Sequence, residues 1–376
     1  MLKNRLDRVH KFVRDKNLDG LIVISPVDVF YLSGVRQEGG VMFFGRECSV
    51  SLLVVDGRYF LSAQNIISSA TEKLKSQIKL VPLNEKLNDK FLAKKNLLDL
   101  SITKIKTRKL RIGIDDNLSL REFYKLQKSF PDWEFKVQKN LFLQWRKIKD
   151  LSEIKLLKKS AKKMDVLIPC VQKYAREGIS ERELKWKIIE AITERGKYKL
   201  SFSPIVAFGP SSAQPHCTQT EAKLQKNSNI LVDAGIKVGG YCSDITRNFF
   251  FGTPTREYLD AFDLLLTVQK LCIKQSKAGE SISATERFAR KKLGKFAKNF
   301  THSLGHGVGL QIHEFPIVSQ KTNEVFKKNQ VVTSEPGIYF PGKFGIRIED
   351  TILITKKSPQ ILTLSAKNLN FIPTKT

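Results

Sequence analysis

The sequence predicts an α/β protein of two domains. A small α/β domain spans residues 1–140, and an α+β domain spans 141–376. Three observations point to this. Before residue 140, short apolar runs alternate with helix-patterned segments. Beyond it, the order helix, helix, strand hairpin occurs twice, a pseudo-two-fold duplication of elements with no clear sequence repeat behind it. The length, 376 residues, exceeds what one hydrophobic core ordinarily serves.

The elements follow from local patterns. Leu2, Leu6, Val9 and Val13 recur at helical spacing and predict an amphipathic helix over 2–16, which Gly20 ends. LIVIS (21–25) reads as a strand stopped by Pro26. CSVSLLVVD (48–56) is a second strand, closed by the turn signal Asp56-Gly57. A helical stretch follows at Ala63–Ser69, then the strand RIGID (111–115) and a helix over Leu120–Ser129.

In the second part, Ser152 is placed to cap a long helix carrying Ile154, Leu157, Ala161, Met164, Ile168 and Val171, which stops at Gly178. Ser180 and Glu183 form a capping-box signature for a helix reaching about Arg195. Strands are expected at 203–209, 229–236 and 241–251, helices at 255–277 and 283–298 on either side of Gly279, and strands at 331–340 and 345–355.

Composition narrows the function classes. Apolar residues are 41% and charged residues 27%, as in a globular protein, which excludes bulk disorder and a collagen-like chain. No apolar run approaches the roughly 20 residues of a spanning helix. The N-terminus has no signal-peptide core, and the five cysteines are scattered, without a CxxC pair; reduced thiols in a cytoplasmic protein are expected. The net charge is +28, mostly lysine excess, with +12 in residues 1–150 and +16 in the rest. Charge spread this evenly reads as a solvated surface, so a nucleic-acid partner is not expected despite the basic character.

Carboxylates carry the chemistry. Asp233, in ILVDAGI, interrupts an apolar strand, and Asp244 lies in the next strand. With Val238-Gly239 as a two-residue loop, the two aspartates face each other. With Pro341-Gly342-Lys343 as a three-residue loop, Glu335 and Glu349 do the same. Like charges opposed in apolar strands imply bound cations. Four of the five histidines, His216, His302, His306 and His313, cluster in sequence around these hairpins, and His306 is read in a Gly-His-Gly loop. Carboxylates with one imidazole suit two divalent first-row metals better than a thiolate zinc site does.

The order Asp233, Asp244, His306, Glu335, Glu349 resembles the dinuclear site of the pita-bread-fold metallopeptidases, in particular the aminopeptidase P and prolidase branch. FSPIVAFGPSSAQPH (202–216), LVDAGIKVGGYCSDITRNF (231–249), HSLGHGVGLQIHEFP (302–316) and EPGIYFPGKFGIRIED (335–350) carry the likeness. GLIVISPVDVFYLSG and VVDGRYF resemble the creatinase-type N-terminal domain. The resemblance implies a creatinase-like domain (1–140) before a pita-bread catalytic domain (141–376). It implies that Asp233 chelates one metal, that Asp244 and Glu349 bridge both, and that His306 and Glu335 hold the second. Manganese is the metal expected, with cobalt or zinc as alternatives. His216, His302 and His313 match substrate-side and catalytic histidines, and Arg347 would orient Glu349 or contact substrate.

The implied reaction is hydrolysis of the Xaa-Pro bond at peptide N-termini by a hydroxide held between the metals, with Glu335 as proton shuttle. Homodimerisation is implied, and no membrane partner. Some prolidases carry arginine just after the HExP string, where it holds a dipeptide's carboxylate. Here that position is Ile317, which tilts the expectation to an Xaa-Pro aminopeptidase over a strict dipeptidase, with Arg36 as a substitute cation for the latter. A non-hydrolytic binding module or a metal-free hydrolase of creatinase type would be expected to have lost metal ligands, and all five are present.

Overall fold

The computed structural model describes residues 2–36, 41–46, 51–56, 64, 76–83, 109–218 and 221–374. The chain forms two compact units, Met1–Gln144 and Trp145–Thr376.

In the first unit, α1 (Leu2–Asp15) buries Leu6, Val9 and Val13 on one stripe. After β1 (Gly20–Val23), Pro26 does not merely stop a strand. It opens α2 (Pro26–Ser33), whose first turn is capped by Ser25, because proline's fixed φ and missing N–H suit the first helical position. The strands β2 (Val41–Gly45), β3 (Ser51–Asp56), β4 (Ile78–Leu83) and β5 (Arg111–Asp115) follow, then α3 (Leu120–Ser129) and β6 (Glu134–Gln138). They make one six-stranded mixed sheet in the order β4-β3-β2-β1-β5-β6. The expected helix at Ala63–Ser69 falls almost wholly outside the described residues. Helix α4 (Leu141–Arg146) leads into the second unit.

There, α5 (Leu151–Lys163) is capped by Asp150 and not by Ser152. The Asp150 carboxylate accepts from the Ser152 and Glu153 amides, and Glu153 completes the box. The expected long helix breaks at a 3₁₀ turn, Met164–Val166, and resumes as α6 (Leu167–Tyr174). Helix α7 (Glu181–Ile192) starts at the Ser180/Glu183 box as expected. The strands β7 (Lys199–Leu200), β8 (Ile205–Phe208), β9 (Ser228–Ala234), β10 (Ile236–Val238), β11 (Tyr241–Cys242) and β12 (Ile245–Phe251) complete the first half. Helices α8 (Arg256–Gln275) and α9 (Ile282–Leu293) open the second. It continues with β13 (Gly305–Gly307), β14 (Glu314–Val318), β15 (Val331–Ser334), β16 (Gly337–Phe340), β17 (Phe344–Arg347), β18 (Asp350–Leu353), β19 (Gln360–Ile361) and β20 (Asn370–Ile372).

Two larger sheets result, β20-β12-β9-β8 and β14-β13-β15-β18-β19. Each has its own helices and its own core. Leu184, Ile188, Val206, Ile230 and Phe249 fill one. Leu265, Ala289, Val332, Ile338 and Ile352 fill the other. The halves repeat in hydrogen bonding as well as in order. Ser180 bridges Lys223 just as Ser281 bridges Val325. Gly178 N donates to Leu224 O at 2.9 Å, and Gly279 N to Phe326 O at 2.8 Å. Asn227 and Asn329, at matching places, both take positive φ, 57° and 70°.

Candidate metal centre and active site

The two hairpins set the acids. In the second, Phe344 faces Phe340 across the expected three-residue loop, and the register runs on through Ser334 opposite Asp350. Glu335 and Glu349 therefore oppose each other in the gap where β15 and β18 hand over to β16 and β17. In the first hairpin the register differs from expectation. Val238 pairs with Tyr241, so the turn is Gly239-Gly240 and not Val238-Gly239. Both glycines have positive φ, 58° and 95°, which a two-residue hairpin loop of the mirror-image kind requires and a valine resists. Asp233 consequently faces Thr246, and Asp244 lies diagonally from it. The shift is two residues, so side-chain parity survives.

His306 is on a strand, β13, not in a loop. Its neighbours Gly305 and Gly307 are needed for close packing. A Cβ on either would lie 2.2 Å from a backbone oxygen, of Thr333 and Phe315 respectively. His306 Nδ1 bonds the Gly307 carbonyl at 3.1 Å. A carbonyl only accepts, so Nδ1 carries a proton, and Nε2 is the nitrogen that faces the acids. That Nε2 lies 3.2 Å from Glu335 Oε1 and 3.5 Å from Asp244 Oδ2. Ligand atoms of Asp244, His306 and Glu349 all lie within 4.8 Å of one another. Asp233 accepts from Arg347 Nη2 at 2.7 Å through Oδ2, while its Oδ1 is buried with no protein partner. Thr246 Oγ1 donates to Glu349 Oε2 at 2.6 Å, and Thr333 Oγ1 to Glu335 Oε1 at 2.9 Å. These acids and His306 line one cleft of about 430 Å³ together with His216, His302 and His313.

Two expected substrate-side residues have other duties. His302 Nδ1 donates to Ser303 O at 2.8 Å and Nε2 accepts from Tyr339 OH at 2.9 Å, so neither nitrogen is left for substrate. Arg347 was expected to orient Glu349 or contact substrate. It is buried, and it instead grips Asp233, Tyr339 OH, Pro215 O and Thr246 Oγ1, reaching Glu349 only through that threonine. His216 and His313 remain exposed at the cleft, and the His313 ring meets that of His306 edge-on at 4.4 Å.

Residues 155–356 match metallopeptidase family M24, and residues 5–148 match the creatinase/prolidase N-terminal domain. The chain belongs to family M24. It is 30% identical to the Xaa-Pro dipeptidase of Pyrococcus furiosus over 98% of this chain and 100% of that one. The solved Xaa-Pro dipeptidase from Bacillus anthracis superposes with a TM-score of 0.87 at 27% identity, over 99% of this chain and 100% of that one. An X-Pro aminopeptidase from Thermotoga maritima gives 0.84 at 26% identity, over 98% and 99%. Among the described residues, no helix of this M24 peptidase is long and apolar enough to cross a membrane.

The electrostatics of the M24 cleft call for cations. Burial, and then the facing carboxylates, push Asp244 and Glu349 well above the usual range. Burial also raises Asp233, against the pull of Arg347. Glu335 alone is pulled down, to about 2, because the hydrogen bond and charge of His306 outweigh its burial. His306 is raised by that same partner despite its own burial. Four acids, one imidazole lone pair and an unpaired buried oxygen fit a pair of divalent metal ions, which take oxygen and imidazole donors.

Sequence reasoning missed Tyr339, Thr246 and Thr333. Thr246 and Tyr339 were within reach. Thr246, in β12, sits two residues beyond Asp244, and Tyr339 four beyond Glu335. A further group, Glu314 buried between Arg146 Nε and Lys149 Nζ at 3.2 Å each, anchors the segment carrying His313. Its partner Lys149 lies 165 residues away in sequence, and Arg146 farther still, so no local pattern signals it.

Proposed function

We propose that this M24 peptidase hydrolyses the bond between an N-terminal residue and a following proline. The observation that carries the proposal is the convergence of Asp233, Asp244, His306, Glu335 and Glu349 in one cleft, with one carboxylate oxygen of Asp233 left unpaired. These five residues would hold two divalent ions, with manganese the first choice for so oxygen-rich a donor set. When bound, such a pair supplies an acidified water and a Lewis acid for the scissile carbonyl.

The chain's own groups do the rest. Glu335, ionised and on the cleft, takes the proton from the attacking water. Burial and the nearby His306 lower the His313 pKa, which keeps that imidazole neutral near pH 7 and able to donate an N–H to the developing oxyanion. Proline nitrogen carries no hydrogen in a peptide, so its departure requires protonation. Glu335, once it carries the water's proton, and exposed His216 are the groups on the cleft able to deliver it. His302 serves by fixing Tyr339, and through it Arg347. The four cysteines among the described residues, all buried and unpaired, support a reducing, cytoplasmic setting.

Peptide length is the finer question. Ile317 lies opposite His306 in the β13–β14 register and lines the cleft, offering no charge to a terminal carboxylate. Among the described cleft residues Arg347 is the sole lysine or arginine, and it is committed to Asp233. This supports peptides that continue past proline. The dipeptidase names of the relatives support the second reading, a strict dipeptidase. A panel of Ala-Pro, Ala-Pro-Ala and Met-Ala-Ala, assayed with added manganese, tests both. The expected result is highest kcat/KM on Ala-Pro-Ala, and Ile317→Arg should shift the ratio toward Ala-Pro. A strong wild-type preference for Ala-Pro establishes the dipeptidase reading, and cleavage of Met-Ala-Ala alone refutes Xaa-Pro specificity.

A further inference from the structure

Behind one wall of the cleft lies a cation that the reaction does not use. Lys185, on α7, is buried, and its ammonium donates to Ser203 Oγ at 2.8 Å. Ser203 is exposed and lines the cleft with Phe202 and Ile205. A serine hydroxyl has one proton to give. With the ammonium on its oxygen, that proton must be directed elsewhere, and the neighbouring charge makes it a stronger donor.

The position decides what this donor meets. Ile205 pairs with Asp233 across β8 and β9, so Phe202, Ser203 and Ile205 flank the Asp233 end of the cleft. Ile312, His313 and Ile317 form the wall near His306. A peptide's α-ammonium is attracted to the acids, and Asp233 is the acid beside this wall. His313 receives the developing oxyanion, which places the scissile carbonyl and the proline after it toward that wall. The side chain of the first residue then lies against Phe202 and Ser203.

We infer that Ser203, backed by Lys185, is a specificity subsite for a first-residue side chain that ends in a carboxylate, so that Glu-Pro and Asp-Pro peptides are favoured. The inference rests on the Xaa-Pro reading above. Lys185 acts through Ser203 and is a positioning residue; Phe202 supplies the apolar wall for the methylene stem.

The test compares Glu-Pro-Ala with the isosteric Gln-Pro-Ala on metal-loaded full-length protein. The wild type should favour Glu over Gln by about tenfold in kcat/KM, the size of one charge-assisted hydrogen bond, expressed in KM more than in kcat. Ser203→Ala, at an exposed position, and Lys185→Met should each bring the ratio near one with metal stoichiometry intact. Lys185→Arg should restore part of it. Ala-Pro-Ala and its C-terminal amide form the second arm. If Ser203→Ala changes the acid-to-amide ratio and leaves the Glu-to-Gln ratio alone, the pair reads the peptide's C-terminus and the inference is overturned. It is equally overturned by a wild-type ratio of one or below. A wild type that cleaves none of these peptides overturns the Xaa-Pro reading itself.

Discussion

His306 and His313 touch edge to edge, yet they differ in what holds them. His306 has Nδ1 fixed by Gly307 and Nε2 turned to two acids, whereas His313 is exposed. His306→Ala should therefore lose bound metal as well as activity. His313→Ala should keep its metal and lose roughly 10²-fold in kcat, as for removal of one oxyanion donor. Metal analysis alongside steady-state kinetics separates the two; equal metal loss in both would refute the division. The sequence pointed to every one of these side chains, because an acid inside an apolar strand and a histidine between glycines are locally conspicuous. It could not show that His302 and Arg347 are spent on neighbours. That depends on Tyr339, which reaches His302 from 37 residues away.

At the scale of elements, turn chemistry decided how much was legible. The three-residue loop Pro341-Gly342-Lys343 left one reasonable register, and the observed pairing follows it. KVGG offered two loops, and the one with both glycines in the turn won. The error was two residues, so the predicted face was right and the predicted partner wrong. Strand β13 was hidden because Gly305 and Gly307, poor strand formers in isolation, are selected for close backbone approach. The segment carrying His313 is held by Glu314 between Arg146 and Lys149, all buried. Glu314→Gln removes an anion that faces two buried cations. It should cost about 3–5 kcal/mol, read as a lower denaturant midpoint in the metal-free protein. An unchanged midpoint would mean that the cluster contributes nothing to stability.

At the scale of the whole molecule, the second unit is two similar halves, each supplying one acid-bearing hairpin, and the cleft gathers their charges. Without metal this arrangement is costly at neutral pH. Asp233, Asp244 and Glu349 have native pKa values raised above their unfolded ones. As pH rises from about 4, the unfolded chain releases these protons before the native one does, so stability falls. His306, also raised, contributes stability that is lost as pH rises through its native value. Glu335, depressed to about 2, works in the opposite sense, losing its contribution only as pH falls toward 2. Chelator-treated protein should therefore melt at a higher temperature near pH 5 than near pH 8, and the stabilisation by added manganese should grow with pH as cations replace protons. A metal effect that is independent of pH over that range would contradict the electrostatic account.

The central claim is that paired acids from both halves hold two metal ions that the hydrolysis requires. Titrating manganese into chelator-treated full-length protein, while following both bound metal and Ala-Pro-Ala cleavage, tests it most directly. The account predicts no cleavage without metal and saturation near two ions per chain. It predicts loss of both the second ion and activity in Asp244→Ala, which removes an acid shared by the cluster. Full activity in the chelated wild type, or an Asp244→Ala variant that binds two ions and cleaves normally, would contradict it.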